Sequence, residues 1–393
     1  MIKMNNVKLF KQIYKKEPSD VSYCSYRVCP LGAHVDHQHG KVLGIAIDKG
    51  VSIAYAPKQN GVVELTSMQF EKRAQFHVNA VPKQKECDWA DYLRGATLIL
   101  SEKYRLSVGV CGVIEGTLPI GGLSSSAAVT ISFLQALCKV NNLKISQKEL
   151  VCFAVRAENE YVGVSTGKLD QSTEVYAKKD CLLYLDTLND TYELIAKNEN
   201  MKPFKIAVFF SGLERNLTAS NYNLRKDECV SAAYALKAYE GVENGKFKET
   251  NLRQVPYEIY LKHKDKLPTS WQKRAEHYYT EEIRVEKGVE AFKKGDLIEF
   301  GKLCFESGLS SIENYEVGSP ELITLYNIMK NTNGIYGGRF SGAGFKGCCM
   351  ALIDPLLESE ILSKVEEEYL KVYPEFKGKF SAHICESADG ISL

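Results

Sequence analysis

Residues 112–128 have the sequence Gly-Val-Ile-Glu-Gly-Thr-Leu-Pro-Ile-Gly-Gly-Leu-Ser-Ser-Ser-Ala-Ala, and this segment is the most informative part of the chain. A β-rich stretch ends in a Pro/Gly turn, and three serines then open an apolar pattern of helical period that includes Ala127, Ile131 and Leu134. Backbone N–H groups at a helix N-terminus form an anion site, to which the helix dipole adds about half a positive charge. Serine caps such N–H groups and offers hydroxyls to a metal that bridges phosphates. The segment predicts a phosphate-binding turn before a helix, although a merely capped helix would have the same pattern.

Length and composition predict an ordinary enzyme of two domains. The chain has 393 residues, of which 45% are hydrophobic, and a formal net charge of +1. This length favours two domains, and the apolar content can fill sizeable cores. A net charge near zero argues against nucleic-acid or membrane-surface binding driven by bulk electrostatics. Composition gives no prediction of the oligomeric state.

The cysteines and the N-terminal residues indicate the compartment. Twelve cysteines are scattered without the paired spacing of a metal site, and Cys348 and Cys349 are adjacent in an apolar run. The first residues, Met-Ile-Lys-Met-Asn-Asn, lack the character of a signal peptide, and no stretch approaches the apolar length of a membrane span. We therefore expect free thiols in a reducing environment, a cytoplasmic location, and neither a nucleic-acid nor a membrane partner.

The chain mixes strands and helices without an internal repeat. Apolar and alternating patterns predict strands at residues 42–56, 62–70, 181–186, 204–210, 348–353 and 380–386. Helical periodicity predicts helices at residues 91–104, 124–140, 147–161 and 170–178. A charged, helix-rich half follows residues 190–200, so we predict domains at 1–195 and 196–393. The expected fold class is α+β, with the active site in the cleft between the two domains.

Two segments match nucleotide-binding patterns only in part. Residues 342–347, Gly-Ala-Gly-Phe-Lys-Gly, satisfy G-x-G-x-x-G, but a predicted strand follows them rather than a dinucleotide-binding helix. Residues 163–168 approach a P-loop, but they have one spacer too few, and Leu169 stands where Ser or Thr is needed. The sequence therefore favours neither a Rossmann domain nor a P-loop domain.

A polar segment covers residues 27–40, Arg-Val-Cys-Pro-Leu-Gly-Ala-His-Val-Asp-His-Gln-His-Gly. An arginine, an aspartate and three histidines in a glycine-broken loop suit the hydroxyl groups of a ligand. Asp36 can accept hydrogen bonds from two neighbouring sugar hydroxyls. A metal site of His34, His37 and His39 is disfavoured, because no cysteine or glutamate completes the ligand set.

A third segment is rich in glycine. Residues 337–349 are Gly-Gly-Arg-Phe-Ser-Gly-Ala-Gly-Phe-Lys-Gly-Cys-Cys. So many glycines allow positive φ angles and close backbone approach. The segment therefore suits a loop that packs against the phosphate-binding turn, although a tight structural turn would also use it.

In order and spacing, the three segments resemble the signature motifs of the galactokinase branch of the GHMP kinases. The resemblance extends over nearly the whole chain, because residues 89–95, 157–171, 220–225, 274–277 and 315–322 and Cys229 also match. It implies the two-domain GHMP kinase fold and transfer of the ATP γ-phosphoryl group to the anomeric hydroxyl of a sugar. Such a transfer depends mostly on positioning and charge neutralisation.

The resemblance also implies roles for individual residues. Asp170 matches the catalytic aspartate, which acts as base or orienting acceptor, and Arg27 matches the arginine paired with it. Glu158 would hold Mg²⁺ against the phosphates together with a serine, Ser125 or Ser126 in our assignment. The positions that match substrate contacts are Ala33, His34, Asp36, His37, Gly167 and Tyr222. The positions that match ATP contacts are Trp89, Tyr92, Pro119, Gly121, Gly122, Leu123, Ser124, Ser125, Ser126, Ala127, Gly342 and Gly344.

The chain departs from the family pattern at positions that bear on which sugar is the substrate. Galactokinases have Gly-Glu-His-Thr-Asp-Tyr where residues 32–37 are Gly-Ala-His-Val-Asp-His. The missing glutamate accepts from the sugar 6-hydroxyl, and at about 4 Å it would repel a 6-carboxylate by roughly 4 kcal/mol at an effective dielectric near 20. Ala33 removes that obstacle, and His37 adds a possible cation or donor.

Lys346 replaces a glycine of the third motif and adds a positive charge. With these changes, the motifs resemble plant galacturonokinases more than galactokinases. The predicted substrate is therefore galacturonate, with galactose as the alternative and another aldose after it. The group that meets a uronate carboxylate stays open among His34, His37, His39 and Lys346.

The phosphate loop also departs from the family pattern. Residues 119–123, Pro-Ile-Gly-Gly-Leu, are one residue shorter than the usual Pro-x-Gly-x-Gly-Leu, which predicts a tighter turn and a changed nucleotide affinity.

A non-catalytic sugar sensor is disfavoured, because sensors lose the small residues after the serines whereas Ser126 and Ala127 are present here. A mevalonate- or homoserine-type kinase is disfavoured because those enzymes lack the Arg-x-x-x-x-Gly-x-His-x-Asp segment of residues 27–36.

Overall fold

The computed structural model describes residues 5–164, 166–213, 218–243 and 245–391, without the side chains of residues 218–222. The helices are α1 (Asn5–Tyr14), α2 (Asp91–Ser101), α3 (Ser125–Val140), α4 (Gln147–Arg156), α5 (Leu169–Tyr176), α6 (Thr218–Glu240), α7 (Tyr257–His263), α8 (Thr269–Lys294), α9 (Leu297–Glu313), α10 (Pro320–Lys330) and α11 (Glu358–Val372). The strands are β1 (Asp20–Val28), β2 (Lys41–Lys58), β3 (Val62–Ser67), β4 (Ala74–His77), β5 (Gly109–Gly116), β6 (Cys181–Asp186), β7 (Thr191–Ala196), β8 (Lys205–Phe210), β9 (Ile335–Phe340), β10 (Cys348–Ile353) and β11 (Ser381–Cys385).

The first half of the chain folds around the long strand β2. Its first residues pair with β6, and its later residues pair with β1 and β5, in a mixed sheet of order β4-β3-β5-β2-β6-β7. Helix α3 covers one face, where Ile131 and Leu134 are buried in the same core as Ile53 of β2. Helix α1 covers the other face, where Phe10 packs with Ala54. Because both faces are covered, β2 is buried at most of its positions.

The second half builds an antiparallel sheet of order β11-β8-β10-β9. Its core includes Phe209 of β8, Ala351 of β10, Leu325 of α10 and Tyr369 of α11. The connection from β9 to β10 is the glycine-rich third motif, and β10 is the strand predicted to follow it. This confirms the reason for rejecting a dinucleotide-binding helix there.

The change of sheet occurs between Ala196 and Lys205, close to the predicted domain boundary at 195/196. The two halves also share a core, because Val289 of α8 and Phe300 of α9 pack in the cluster of the first sheet. The C-terminal residues return to the first half, where the Ile391 N–H donates to the Glu174 carbonyl at 2.8 Å. The division at 195/196 therefore stays a prediction.

Most predicted elements are present, so the α+β class is confirmed. The helix predicted at 147–161 is regular only to Arg156, and a π-helical turn over Ala157–Val162 continues it. The segment between β6 and β8, where the sequence patterns predicted no strand, contains the extra strand β7. β7 lies at the sheet edge and is mostly exposed, so it lacks the buried apolar run that identified the other strands. Within the described ranges, no helix combines the length and apolarity that crossing a membrane requires.

Candidate active site

A cavity of about 300 Å³ lies where both halves of the chain meet. It lies at the end of β1, the N-termini of α3 and α5, and the loop between β9 and β10. The predicted site residues that line it are Arg27, Ala33, His34, Asp36, Tyr92, Gly121, Gly122, Ser126, Gly167, Asp170 and Gly342. Residues that are far apart in the sequence thus converge on one cleft, as the motifs predicted.

Arg27 and Asp170 form a bidentate ion pair at the centre of the cavity. Arg27 Nε donates to Asp170 Oδ1 at 2.7 Å, and Nη2 donates to Oδ2 at 2.8 Å. The Arg27 side chain is 4% exposed, whereas that of Asp170 is 25% exposed and faces the cavity. Arg27 Nη1 also donates to the Gly122 carbonyl at 2.9 Å. One buried guanidinium therefore fixes both the carboxylate and the turn before α3.

Asp170 is ionised at neutral pH. Burial alone would raise its pKa, but the Arg27 charge and the hydrogen bonds from Arg27 and Ser124 hold the pKa below its usual range. Ser124 Oγ donates to Asp170 Oδ2 at 2.7 Å. The hydroxyl of Ser124, which we predicted to contact ATP, is thus engaged with the catalytic candidate. Its backbone remains at the start of α3.

Glu174 lies one helical turn after Asp170, and our sequence analysis did not identify it. Its side chain is fully buried, and within the described part of the chain neither carboxyl oxygen has a hydrogen-bond partner. Burial, and then the charge of Asp170, raise the pKa of Glu174 well above its usual value. If Glu174 is neutral, it does not compete with Asp170 for the positive charge of Arg27. The sequence contains no signal for this state, because it depends on tertiary burial.

The turn before α3 and the third motif are packed backbone to backbone. Gly121 has a φ of 134° and Gly122 a φ of 86°, and a Cβ on Gly122 would come within 2.6 Å of Cys348 Sγ. Gly342 lies against Gly122 in the same way, and Ser341 Oγ donates to the Gly122 carbonyl at 2.6 Å. These contacts are those expected of the third motif. Because the residues of the turn are small, the backbone at the start of α3 stays accessible from the cavity.

Glu158 has the features of a cation ligand. Its side chain is buried, Oε2 accepts from Gln171 Nε2 at 2.8 Å, and Oε1 lacks a hydrogen-bond partner among the described residues. Burial, and then the charge of Asp170, raise the pKa of Glu158 to about 7, while the Ser126 hydroxyl lowers it. An unpartnered buried carboxylate oxygen beside a serine fits a divalent cation.

Few types of cation fit the site at Glu158. Across the ranges that the structure describes, there is no cluster of three or more His, Cys, Asp and Glu side chains able to hold a metal. A single carboxylate with a hydroxyl fits Mg²⁺, which keeps waters and binds substrate phosphates as further ligands.

The sugar end of the cavity is built around Asp36. Its Oδ2 accepts from the Leu169 N–H at 3.3 Å, and its carboxylate lies where a Cβ on Gly167 would stand. Gly167 is therefore needed for the approach of the two segments. Burial, and then the charge of Asp170, raise the pKa of Asp36 to about 6. The carboxylate is available to accept from hydroxyl groups at neutral pH.

The histidines near this end are neutral. His34 stacks on Tyr315 with ring centroids 4.6 Å apart, and within the described residues its buried Nε2 lacks a partner. Burial, and then the Arg339 charge, lower the pKa of His34 well below 6.5. Burial, and then the charge of Lys226, lower the pKa of His37 to about 3. Of the two roles expected for His37, a cation or a donor, its lowered pKa disfavours the cation, and both rings can still exchange hydrogen bonds.

A second pocket of about 140 Å³ adjoins the first and is mostly apolar. Trp89, Tyr92, Ser125 and Ser126 line it, and the Trp89 ring stacks on Phe70 at 6.0 Å with an angle of 8°. Tyr92 and Ser126 line both pockets, which makes them the boundary between the two. The lining residues that our sequence analysis missed include Phe70 and Ile120, which are 44% and 47% exposed.

Several predicted site residues do not line either pocket. The side chains of Leu123 and Ala127 are buried in the core, so these residues can offer only backbone groups. Gly344 packs on Val317, and Pro119 lies on the surface. The side chain of Tyr222 lies outside the described residues.

The chain is similar to known proteins in both sequence and structure. The GHMP kinases N terminal domain model matches residues 91–178, and the GHMP kinases C terminal model matches residues 289–371. A galacturonokinase of Arabidopsis thaliana is 42% identical, covering 93% of this chain and 91% of that protein. A galactokinase of Roseiflexus sp. (strain RS-1) is 30% identical, covering 97% and 95%. The crystal structure of Lactococcus lactis galactokinase complexed with galactose has a TM-score of 0.88 at 27% identity, covering 98% of each chain.

Proposed function

We propose that this chain, which belongs to the GHMP kinase family, is an ATP-dependent sugar 1-kinase whose substrate is D-galacturonate. The observation that carries the proposal is the ionised Asp170, fixed by Arg27 and facing a cavity between the start of α3 and Asp36. Nucleotide phosphates at α3 and sugar hydroxyls at Asp36 would place the two reacting groups on either side of Asp170. This is the arrangement that a phosphoryl transfer requires.

Asp170 acts as an acceptor that orients the anomeric hydroxyl. The O1–Pγ bond forms as the bond from Pγ to the bridging oxygen breaks, ADP leaves, and the hydroxyl proton passes to Asp170. Because its pKa is lowered, Asp170 is a weak base, so positioning and late proton uptake describe its role better than full deprotonation. Arg27 stabilises the negative charge that develops on the transferred group.

The nucleotide occupies both pockets. Backbone N–H groups at the start of α3 bind the phosphates, and the apolar pocket beside Trp89 and Phe70 takes the adenine. Glu158 with Ser126 is assigned to Mg²⁺, which when bound neutralises phosphate charge. Ser126 is the better of the two candidate serines, because it lines both pockets and faces Glu158, whereas Ser125 lines only the apolar one.

The sugar end favours a uronate for two reasons. Ala33 lines the cavity where a glutamate would repel a 6-carboxylate, and the unpartnered His34 Nε2 beside it offers a neutral hydrogen-bond donor. A neutral donor can bind a carboxylate or a hydroxyl, so the selection rests on the absence of a negative charge at position 33. The partner is therefore a small sugar acid, bound within the cleft between the two halves.

Coupled ADP release with Mg-ATP across galacturonate, galactose, glucuronate, arabinose and N-acetylgalactosamine tests the proposal. We expect galacturonate to give the highest kcat/KM. A leading activity on galactose would make the chain a galactokinase in which another group replaces the missing glutamate. Absence of turnover on every sugar, with ATP binding intact, would support a non-catalytic sensor instead.

A further inference from the structure

Asp170 is held by two residues, and they do not use its two oxygens equally. Oδ1 accepts one hydrogen bond, from Arg27 Nε at 2.7 Å. Oδ2 accepts two, from Arg27 Nη2 at 2.8 Å and from Ser124 Oγ at 2.7 Å. Because a carboxylate oxygen has two acceptor positions, Oδ2 is filled by the described residues, whereas Oδ1 keeps one position for the hydroxyl of a ligand.

The backbone of Ser124 adopts a conformation that serine rarely has. Its φ of 62° and ψ of 39° lie in the left-handed region, at the residue just before α3. A serine at this place ordinarily caps the helix, but within the described chain the Ser124 hydroxyl makes no capping bond to α3. The residue is buried, and it lacks both a relaxed backbone and a side-chain cap while its hydroxyl contacts Asp170. Such an outlier beside a reactive group indicates a functional constraint.

The same conformation leaves the start of α3 free for an anion. The first intrahelical bond runs from the Ala128 N–H to the Ser124 carbonyl at 3.1 Å, so the N–H groups of residues 125–127 have no acceptor within the helix. A serine hydroxyl that capped them would compete with nucleotide phosphates for these donors. Because the Ser124 hydroxyl is directed at Asp170 instead, the backbone N–H groups serve the phosphates and the side chain serves the carboxylate.

We propose that Ser124 is a positioning residue whose hydroxyl fixes the Asp170 carboxylate so that Oδ1 accepts the hydrogen bond of the anomeric hydroxyl. Arg27 binds the carboxylate from β1, and Ser124 adds a second point of attachment from the start of α3. Because the phosphates are assigned to the start of α3, the same contact sets the separation between the carboxylate and the transferring group. Oδ1 then takes up the hydroxyl proton as the O1–Pγ bond forms and the bond from Pγ to ADP breaks. This inference rests on the proposed sugar 1-kinase activity.

The test compares Ser124→Ala, Ser124→Gly and Ser124→Thr with the wild type. Alanine and glycine both remove the hydroxyl, but glycine also relaxes the left-handed backbone, so its Tm should exceed that of Ser124→Ala by about 1 to 2 °C. Threonine keeps the hydroxyl, although its branched Cβ suits a positive φ poorly and should lower the Tm. We expect kcat to fall by about 10- to 100-fold in Ser124→Ala and Ser124→Gly alike, and to stay within about threefold of wild type in Ser124→Thr. The affinity for ATP without sugar, measured by calorimetry, should change less than about threefold in all three variants.

Lys15→Ala and Lys15→Gly form the matched control pair. Lys15 is exposed and has a φ of 53°, so this pair should reproduce the Tm difference between alanine and glycine without a change in kcat. A readout that does not need turnover is carbon NMR titration of the Asp170 carboxyl, assigned with Asp170→Asn. Loss of the hydrogen bond from Ser124 should raise the pKa of Asp170 in Ser124→Ala and Ser124→Gly, whereas Ser124→Thr should keep it low.

Three results would overturn the inference. A kcat that follows the Tm through the series, rather than the presence of the hydroxyl, would make Ser124 a merely structural residue. A loss of ATP affinity at unchanged kcat would assign the hydroxyl to the nucleotide. Unchanged kcat and an unchanged Asp170 pKa in Ser124→Ala would show that Arg27 alone fixes the carboxylate. If the wild type phosphorylates no sugar, the proposed function fails, while the titration still decides whether Ser124 holds Asp170.

Discussion

The phosphate end and the sugar end of the cavity are built by different means. At the phosphate end, backbone packs on backbone, with Gly121 and Gly122 against Gly342 and Gly347. At the sugar end, side chains of α8 hold the polar loop, since Glu281 accepts from the Gly32 N–H at 2.7 Å and His277 donates to the Ala33 carbonyl. Where packed backbone forms the site, almost any added side chain would clash. Where side chains form the site, a single substitution can change which ligand is bound. We therefore expect substitutions at the two ends to affect different kinetic constants.

The largest effect is expected at Asp170, which lies between the two ends. Asp170→Asn removes the anionic acceptor and the partner of Arg27, so kcat should fall by about 10²- to 10⁴-fold. ATP binding, measured without sugar, should be nearly unchanged. Asp227→Asn, at an exposed position on α6, is the control and should keep full activity. A variant at position 170 with more than a tenth of the wild-type kcat would contradict the role assigned to this residue.

The next effect is expected at the sugar end. Ala33→Glu places a carboxylate beside the proposed 6-carboxylate, and the galacturonate-to-galactose ratio of kcat/KM should fall by about 10²- to 10³-fold, given roughly 4 kcal/mol of repulsion. Ala33→Gln has nearly the same volume without the charge, so it separates electrostatics from size. If the two variants lower the ratio equally, the selection is steric and the charge argument is wrong. KM for ATP should change in neither variant.

A smaller effect is expected at the phosphate end. Gly122→Ala brings a Cβ against Cys348 Sγ, and the displaced turn should raise KM for ATP by roughly tenfold to a hundredfold while the sugar ratio stays constant. Gly378→Ala is a matched control, because its φ of 81° is close to the 86° of Gly122 and no heavy atom lies within 4 Å. Both substitutions carry the αL cost of about 1 kcal/mol in stability. An unchanged KM for ATP in Gly122→Ala would show that the tight packing does not shape the nucleotide site.

The smallest expected effect is on how the free energy of unfolding depends on pH. Burial lowers the pKa of His277 from 6.5 to about 4, so the folded state disfavours the protonated ring. The stability that this histidine contributes is present above pH 6.5 and is lost as the pH falls towards 4. Between pH 7.5 and pH 5 the loss should be about 2 kcal/mol in the free energy of unfolding. Urea unfolding of wild type and His277→Gln should show losses of unfolding free energy between pH 7.5 and pH 5 that differ by this amount. Equal losses would show that His277 is not buried as a neutral ring.

The sequence predicted well the parts of the site that depend on backbone. Runs of glycine and serine at 119–126 and 337–347 permit the positive φ angles and the close backbone approach that a phosphate site needs, so their role could be inferred from composition and spacing. The strands β2, β6, β8 and β10 were found for a similar reason, since their apolar runs need burial. Edge strand β7 was missed because exposure removes that need.

The parts that depend on tertiary surroundings could not be predicted. The neutrality of His34 and His37 follows from burial among charges on distant elements, and local sequence contains no trace of it. Ser124 was expected to contact ATP, yet its hydroxyl donates a hydrogen bond to Asp170, 46 residues later. Phe70 was missed because a lone aromatic residue in a polar stretch gives no local signal. Its place in the apolar pocket is set by its stacking on Trp89.

The most direct test of the central claim is the identity of the product formed in competition. The enzyme would be incubated with Mg-ATP and equal concentrations of galacturonate and galactose, and the sugar phosphates would be identified by phosphorus and proton NMR. The account predicts mainly galacturonate 1-phosphate, with the phosphorus coupled to the anomeric proton. A majority of galactose 1-phosphate would contradict the assigned substrate, and a phosphate on any other hydroxyl would contradict the position of Asp170 beside the anomeric oxygen.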